Sequence, residues 1–249
     1  MGKLLKEAMQ KDKAVHSGLV SAMLARDIDM SYKNDYLTRE ERTGLHASAI
    51  IGTPSEFCLR AQVLSLVYKR NITDGSQFTP QILRVFEEGD SVHMRWQNRF
   101  KKMGIADYIE GRGFSEKYNL YLTPDVLATY KNKKYIIEIK SCSGMVFNKT
   151  YKNNHPKAEK QLQLYMHFFG IPNGLIFMEN KSTQEIRILE KRYNANMVKP
   201  YIERLEEINK YYNRHKIPPN KHKITDSICR HCGYSDACSG RKREKLKTE

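Results

Sequence analysis

No stretch of the 249-residue chain stays apolar for the roughly 18 positions that a membrane-spanning helix requires. The opening MGKLLKEAMQKDK carries a charge every few residues and lacks the uninterrupted apolar centre of a secretory leader. Lys6 stands where a myristoylation site needs Ser or Thr. These absences predict a cytoplasmic, reducing setting and no membrane partner. There the five cysteines are expected to hold metal or do chemistry rather than pair as disulfides. Internal repeats and low-complexity tracts are also missing, which excludes solenoids and a long flexible linker. Acid is in short supply: 28 Asp and Glu face 43 Lys and Arg, for a net charge of +15. The cations are spread over the whole length, a balance that favours a polyanionic partner, nucleic acid first.

Residues 3 to about 26 have the spacing of a moderately amphipathic helix. The polar stretch DIDMSYKNDYLTREERTG follows as a linker or loop, so residues 1–45 form a helical extension and residues 46–249 the main domain. In TPSEFCLRAQVLSLVYKR a helix is predicted from Ser55 or just after Pro54, with Cys58 in its first turn. Ile82, Val85, Phe86, Gly89, His93, Trp96 and Phe100 recur in steps of three and four. They predict a helix with His93 on its buried stripe, ended by Gly104. Strand-like pieces at 106–110, 113–122 and 124–130, a KNKK turn and YIIEIKSCSG read as an antiparallel meander. A helix from Pro156 to a stop at Gly170, a hairpin formed by GLIFME and EIRILE, and a helix over 196–215 complete the pattern. It is that of an α/β or α+β domain around a mixed sheet.

The chemistry concentrates on YIIEIKSCSG. With a period of two, Glu138 and Lys140 share a face with Ile136 and Cys142, and Tyr135, Ile137 and Ile139 take the other. The short KNKK turn makes the start of one strand the neighbour of the end of the next, so Asp125 and Glu138 converge with Lys140 beside them. Two carboxylates repel unless a cation lies between them, and hard oxygens suit Mg²⁺ or Mn²⁺. An exposed strand with a surface charge pair is the bland alternative. Cys142 lacks a supporting histidine and reads as a small residue near the site. At the C-terminus Cys229, Cys232 and Cys238 form a C-x2-C-x5-C array suited to a soft metal. Cys58 is the candidate fourth ligand. Zinc held by four thiolates, or by three and His231 or His222, and an iron–sulfur cluster both suit this spacing.

Pro124-Asp125, twelve residues, then Glu138-Ile139-Lys140 resembles the motif of the PD-(D/E)XK nuclease superfamily. Gln161 and Tyr165, four apart on one helical face, resemble the QxxxY motif of its RecB-like branch. His93 resembles the upstream histidine that adds a metal ligand in exonuclease members. One early and three late cysteines resemble the iron–sulfur nucleases, including the CRISPR-associated Cas-four-like and AddB-like domains. Leu59 departs from them, since many relatives have proline after the first cysteine. The resemblance covers about residues 46 to 240, and its elements occur in family order. It implies a restriction-endonuclease-like core, a mixed sheet flanked by helices, whose helices and C-terminal segment are clasped by a [4Fe–4S] cluster on Cys58, Cys229, Cys232 and Cys238.

The implied activity is a Mg²⁺- or Mn²⁺-dependent deoxyribonuclease, an exonuclease on single-stranded DNA ends, often 5′ to 3′. Its setting would be recombination, repair or processing, in the host cytoplasm if phage-encoded. Asp125, Glu138, the Ile139 carbonyl and His93 would bind the metal, Lys140 would position the water, and Gln161 and Tyr165 would orient the lysine or DNA. Glu116, expected on the neighbouring strand, would support them. A helicase, recombinase or CRISPR adaptation complex is the implied partner. The rival readings are an inactive DNA-binding platform of the same fold and a zinc-dependent nucleic-acid-binding adaptor.

Overall fold

The computed structural model describes residues 19–37, 44–69, 78–149, 155–223, 225–230 and 232–239. The first part of the predicted N-terminal helix, residues 3–18, the stretch 38–43 and His231 lie outside them. Two compact units divide the chain: Met1–Glu40 with Gly75–Glu88, and Glu41–Asp74 with Gly89–Glu249. In the first, α1 (Leu19–Leu37) runs on through residues expected to form a linker. Its polar part is held as helix by tertiary bonds. Asp29 pairs with Arg84 at 2.7 Å, and the Tyr32 hydroxyl donates to Glu87 at 2.6 Å. Asp29 and Tyr32 are three residues apart and so share one helical face.

The second unit begins with β1 (Leu45–His46), α2 (Ala47–Ile50) and α3 (Leu59–Val67). Cys58 is therefore the residue before the helix rather than a member of its first turn. Glu56 accounts for the later start: its carboxylate accepts the Thr53 N–H at 3.0 Å, and its own N–H donates to the Thr53 carbonyl. The closed turn this makes delays the helix. Next comes α4 (Pro80–Lys102), with its C-terminal part, from Gly89 on, in this unit. The predicted apolar stripe of α4 is displaced. Leu83, Val92 and Phe100 are buried, whereas Ile82, Val85 and Phe86 are exposed. The later turns pack on the sheet through Val92, Trp96 and Phe100, and His93 is half-buried beside that contact.

The strands are β2 (Ala106–Ile109), β3 (Gly113–Ser115), β4 (Leu120–Leu122), β5 (Val126–Tyr130) and β6 (Lys133–Cys142). Segment 113–122 is not one strand. A 3-10 turn at Glu116–Tyr118, closed by Asn119 at φ 50°, separates β3 from β4. These two join β1 in a small sheet of order β1-β4-β3. After α5 (Gly144–Lys149) and α6 (Pro156–Phe169) come β7 (Asn173–Asn180) and β8 (Ile186–Arg192), then α7 (Ala195–Asn213), α8 (Ser227–Arg230) and α9 (Ser235–Ser239). The main sheet has the order β2-β5-β6-β7-β8. It is mixed, because β6 and β7 run parallel while its other pairs are antiparallel.

Lys131 and Asn132 form the two-residue loop between β5 and β6, with φ of 48° and 60°. Positive φ at both positions is the hairpin turn whose twist matches the strands. It sets Val126 opposite Ile137 and sorts β6 by parity. Ile136 and Cys142 enter one core with Leu162 and Tyr165 of α6, and Ile137 and Ile139 enter the other with Val92 and Phe100 of α4. Each isoleucine buried this way contributes roughly 1.5–3 kcal/mol. Helix α6 starts on His155, whose Nδ1 accepts the Ala158 N–H at 3.3 Å, and stops at Gly170 with φ 64°. It lies close against β7: a Cβ on Gly174 would come within 2.8 Å of Leu162.

Candidate active site

Asp125 precedes β5 at the point where the ladder to β6 opens. With the next strand residue already paired to Ile137, its carboxylate reaches β6 directly. Oδ2 accepts the N–H of Ile139 at 2.6 Å, and Oδ1 lies 3.3 Å from Nδ1 of His93. Gln97, one turn beyond His93 on α4, donates to the Asp125 carbonyl at 3.3 Å. The aspartate is thus tied to both the sheet and the helix. Burial works to lower the His93 pKa, but the hydrogen bond and charge of Asp125 outweigh it and the net direction is upward.

Glu138 is buried, only 1% exposed. Oε1 pairs with Nζ of Lys140, whereas Oε2 is buried without a hydrogen-bond partner. Burial is the largest influence on this carboxyl. It overrides the attraction of Lys140, is reinforced by the charge of Asp125, and pushes the pKa up to about 7. Burial opposes the charged form of Lys140 as well, but the negative charges of Glu138 and Asp125 win and its pKa is raised. Tyr165 closes the α6 side, its hydroxyl accepting from Nε2 of Gln161 at 2.9 Å. Burial, then the charge of Glu138, raises its pKa. His155 is lowered chiefly by burial, and the charge of Lys140 also reaches it.

Asp125, Glu138, Lys140, His93, Gln161 and Tyr165 therefore lie around one end of the β5–β6 pair. Sequence reading missed Gln97 and His155. The step of four from His93 marks Gln97, and the position before Pro156 marks His155 as a helix cap. Glu116 is not on a strand: it is exposed on the 3-10 turn. Cys142 is a buried core residue, its thiol pKa raised by burial.

Among the described residues no three His, Cys, Asp or Glu side chains are drawn together as a ready-made metal cage. The two acids are instead balanced by His93 and Lys140. A hard divalent ion nevertheless fits the donor set. The donors are of the right kind, two carboxylates and an imidazole, and Oε2 of Glu138 keeps its lone pairs unused in the interior, a condition that costs about 1–3 kcal/mol for a neutral group and more for a charged one.

The second cluster lies at the start of α3. Cys58, Cys229, Cys232 and Cys238 all line one cavity of about 260 Å³, and all are free thiols. Burial raises the pKa of Cys229 and of Cys232, and negative charge on the neighbouring cysteines pushes in the same direction. Thiols that disfavour one another's ionisation are stabilised when a cation takes the charge. As donors, four thiols suit either tetrahedral zinc or a [4Fe–4S] cluster. His222, the other named candidate, instead places Nε2 3.1 Å from the Phe57 carbonyl.

No family model matches the sequence, and no curated protein matches it. Among solved structures the chain is similar to an alkaline exonuclease from Laribacter hongkongensis. The TM-score is 0.54 at 13% identity, with 70% of this chain and 90% of that chain covered. The complex of that exonuclease with dAMP aligns at a TM-score of 0.51 and 13% identity, covering 69% of this chain and 89% of the other. Likeness at this identity shows a shared fold, the mixed sheet flanked by helices of restriction-endonuclease-like proteins.

Proposed function

We propose that the chain is a divalent-metal-dependent DNA nuclease that hydrolyses phosphodiester bonds, acting as an exonuclease on single-stranded ends in recombination, repair or processing. One observation carries the reading: the buried carboxylate of Glu138 on β6 and the partly buried carboxylate of Asp125, just before β5, lie at the same end of the strand pair with Lys140, and one oxygen of Glu138 is unpartnered. The fold shared with an exonuclease whose structure contains dAMP supports DNA as the substrate, as does the net charge of +15.

Asp125, Glu138, the Ile139 carbonyl and His93 would hold Mg²⁺ or Mn²⁺, which when bound neutralises phosphate charge and acidifies a water. Lys140 stays protonated next to the acids, directs that water towards phosphorus and meets the charge that develops on the phosphoryl oxygens. Gln161 and Tyr165 orient the lysine, which donates to their oxygens, or the DNA backbone. Water adds to phosphorus, the P–O bond to the neighbouring nucleotide breaks, and the leaving oxygen takes a proton to become a hydroxyl. The lysines and arginines bind phosphates without reading bases, so affinity falls steeply with salt. A helicase, recombinase or CRISPR adaptation complex would supply the ends.

The four cysteines would hold a [4Fe–4S] cluster that closes a loop of about 170 residues and fastens the C-terminal segment to α3. Anaerobically purified protein should be brown and contain iron and sulfide. Colourless protein carrying zinc would overturn the cluster. The activity is tested by digesting end-labelled single-stranded and duplex DNA with Mg²⁺ or Mn²⁺. The wild type should shorten the strands from an end, and Glu138→Ala should leave them intact. Equal cleavage by both proteins would refute the assignment of this site.

A further inference from the structure

We infer that Glu179 is a positioning residue for His93, a role that rests on the divalent-ion reading of the Asp125–Glu138 site. Glu179 sits near the end of β7, opposite Ser141 of β6 in the parallel ladder. Its side chain is only 2% exposed, yet it carries two partners from α4: Nη2 of Arg95 on one oxygen and the indole N–H of Trp96 on the other. Trp96 also packs on Phe177, ring centroids 4.5 Å apart. A buried carboxylate with two donors from one helix holds that helix by direction as well as by area.

The placement relative to the site gives this anchor its consequence. In the main sheet β6 lies between β5 and β7. Helix α4 therefore grips the sheet on both sides of the strand that carries Glu138 and Lys140: His93 reaches Asp125 at the start of β5, and Arg95 and Trp96 reach Glu179 on β7. One anchor alone would let the helix roll about its axis. Successive residues turn by about 100°, so His93 and Trp96 project roughly 60° apart, and fixing Trp96 and Arg95 fixes the direction of the imidazole. Groups bonded directly to a metal-binding histidine typically change metal affinity by about 10–100-fold, and Glu179, which acts through its bonds to Arg95 and Trp96, belongs at the lower end.

The test measures Mn²⁺ binding by titration calorimetry in the absence of DNA, with circular dichroism to verify folding. Glu179→Gln should weaken Mn²⁺ by about tenfold, and Arg95→Met should weaken it too. The second variant separates positioning from charge: losing a cation near the site would by electrostatics alone tighten Mn²⁺. In a His93→Ala background Glu179→Gln should cause no further loss. Wild-type affinity in Glu179→Gln, tighter binding in Arg95→Met, or losses that multiply in the double variant would each overturn the role of Glu179. The underlying reading fails separately: wild-type protein that binds no Mn²⁺, or binding that survives Asp125→Ala, removes the divalent site itself.

Discussion

The β5–β6 site and the cysteine cavity are assembled in opposite ways. At the first, each charged group already has a protein partner: Asp125 has His93 and a backbone N–H, and Glu138 has Lys140. The groups ride on a sheet and a helix that pack through two apolar cores. At the second, Cys58 and three cysteines near the C-terminus line an open volume, and burial and the neighbouring cysteines work against the ionisation of Cys229 and Cys232. The fold makes the first site. At the second, the bound group would help to make the fold.

The largest expected effect breaks that symmetry directly. Glu138→Gln should lower DNA cleavage by about 10²–10³-fold, the scale of losing one preorganised electrostatic element, here a ligand of the ion that would neutralise phosphate charge. Its Tm should stay within a few degrees of wild type, because the fold does not depend on the ionised acid. Cys58→Ser should do the reverse. Weakening a structural site by about 3 kcal/mol lowers Tm by roughly 10 °C in a chain of this size, measurable by calorimetry. A Cys58→Ser protein with wild-type Tm would erase the contrast.

The third effect is in pH. The Glu138 carboxyl has a folded pKa of about 7 against 4.5 for the ordinary group, so the folded state holds the proton more tightly than the unfolded chain. The stability this contributes is full below pH 4.5 and is lost as pH rises to about 7, at most about 3 kcal/mol. Metal competes with that proton, so Mn²⁺ should raise Tm more at pH 8 than at pH 5.5. An equal shift at both pH values would detach Glu138 from the metal. The smallest effect is Tyr165→Phe, which leaves Gln161 without its acceptor and should slow cleavage about fivefold, the worth of about 1 kcal/mol.

The grouping of Asp125, Glu138 and Lys140 was readable because strand parity and a two-residue turn are local rules. Gln161 with Tyr165 was readable from helical spacing. The stripe on α4 misled, because the same three-four rhythm runs through Ile82, Val85 and Phe86, which are exposed, and only tertiary packing decides where burial begins. The break between β3 and β4 depends on Asn119 adopting a left-handed conformation, which propensity alone does not announce. The Asp125 bond to the Ile139 N–H and the clasp of Glu179 on α4 join residues 14 and 84 or 83 positions apart, beyond any periodic pattern. Nothing local marks Glu179 off from a surface acid.

The loop of Lys131 and Asn132 makes the geometry of the candidate site a matter of counting. Asp125 meets Glu138 only because the residues between them fold back on a turn of two. Spelling changes in that loop should be cheap, apart from the demand for positive φ. Adding or deleting a single residue would turn Glu138 and Lys140 towards the core of Ile137 and Ile139, or force a bulge. In the lineage of this chain, length variation at that distant hairpin should therefore be rarer than its exposure suggests, and a gap there in an alignment would be a warning that the site has been lost.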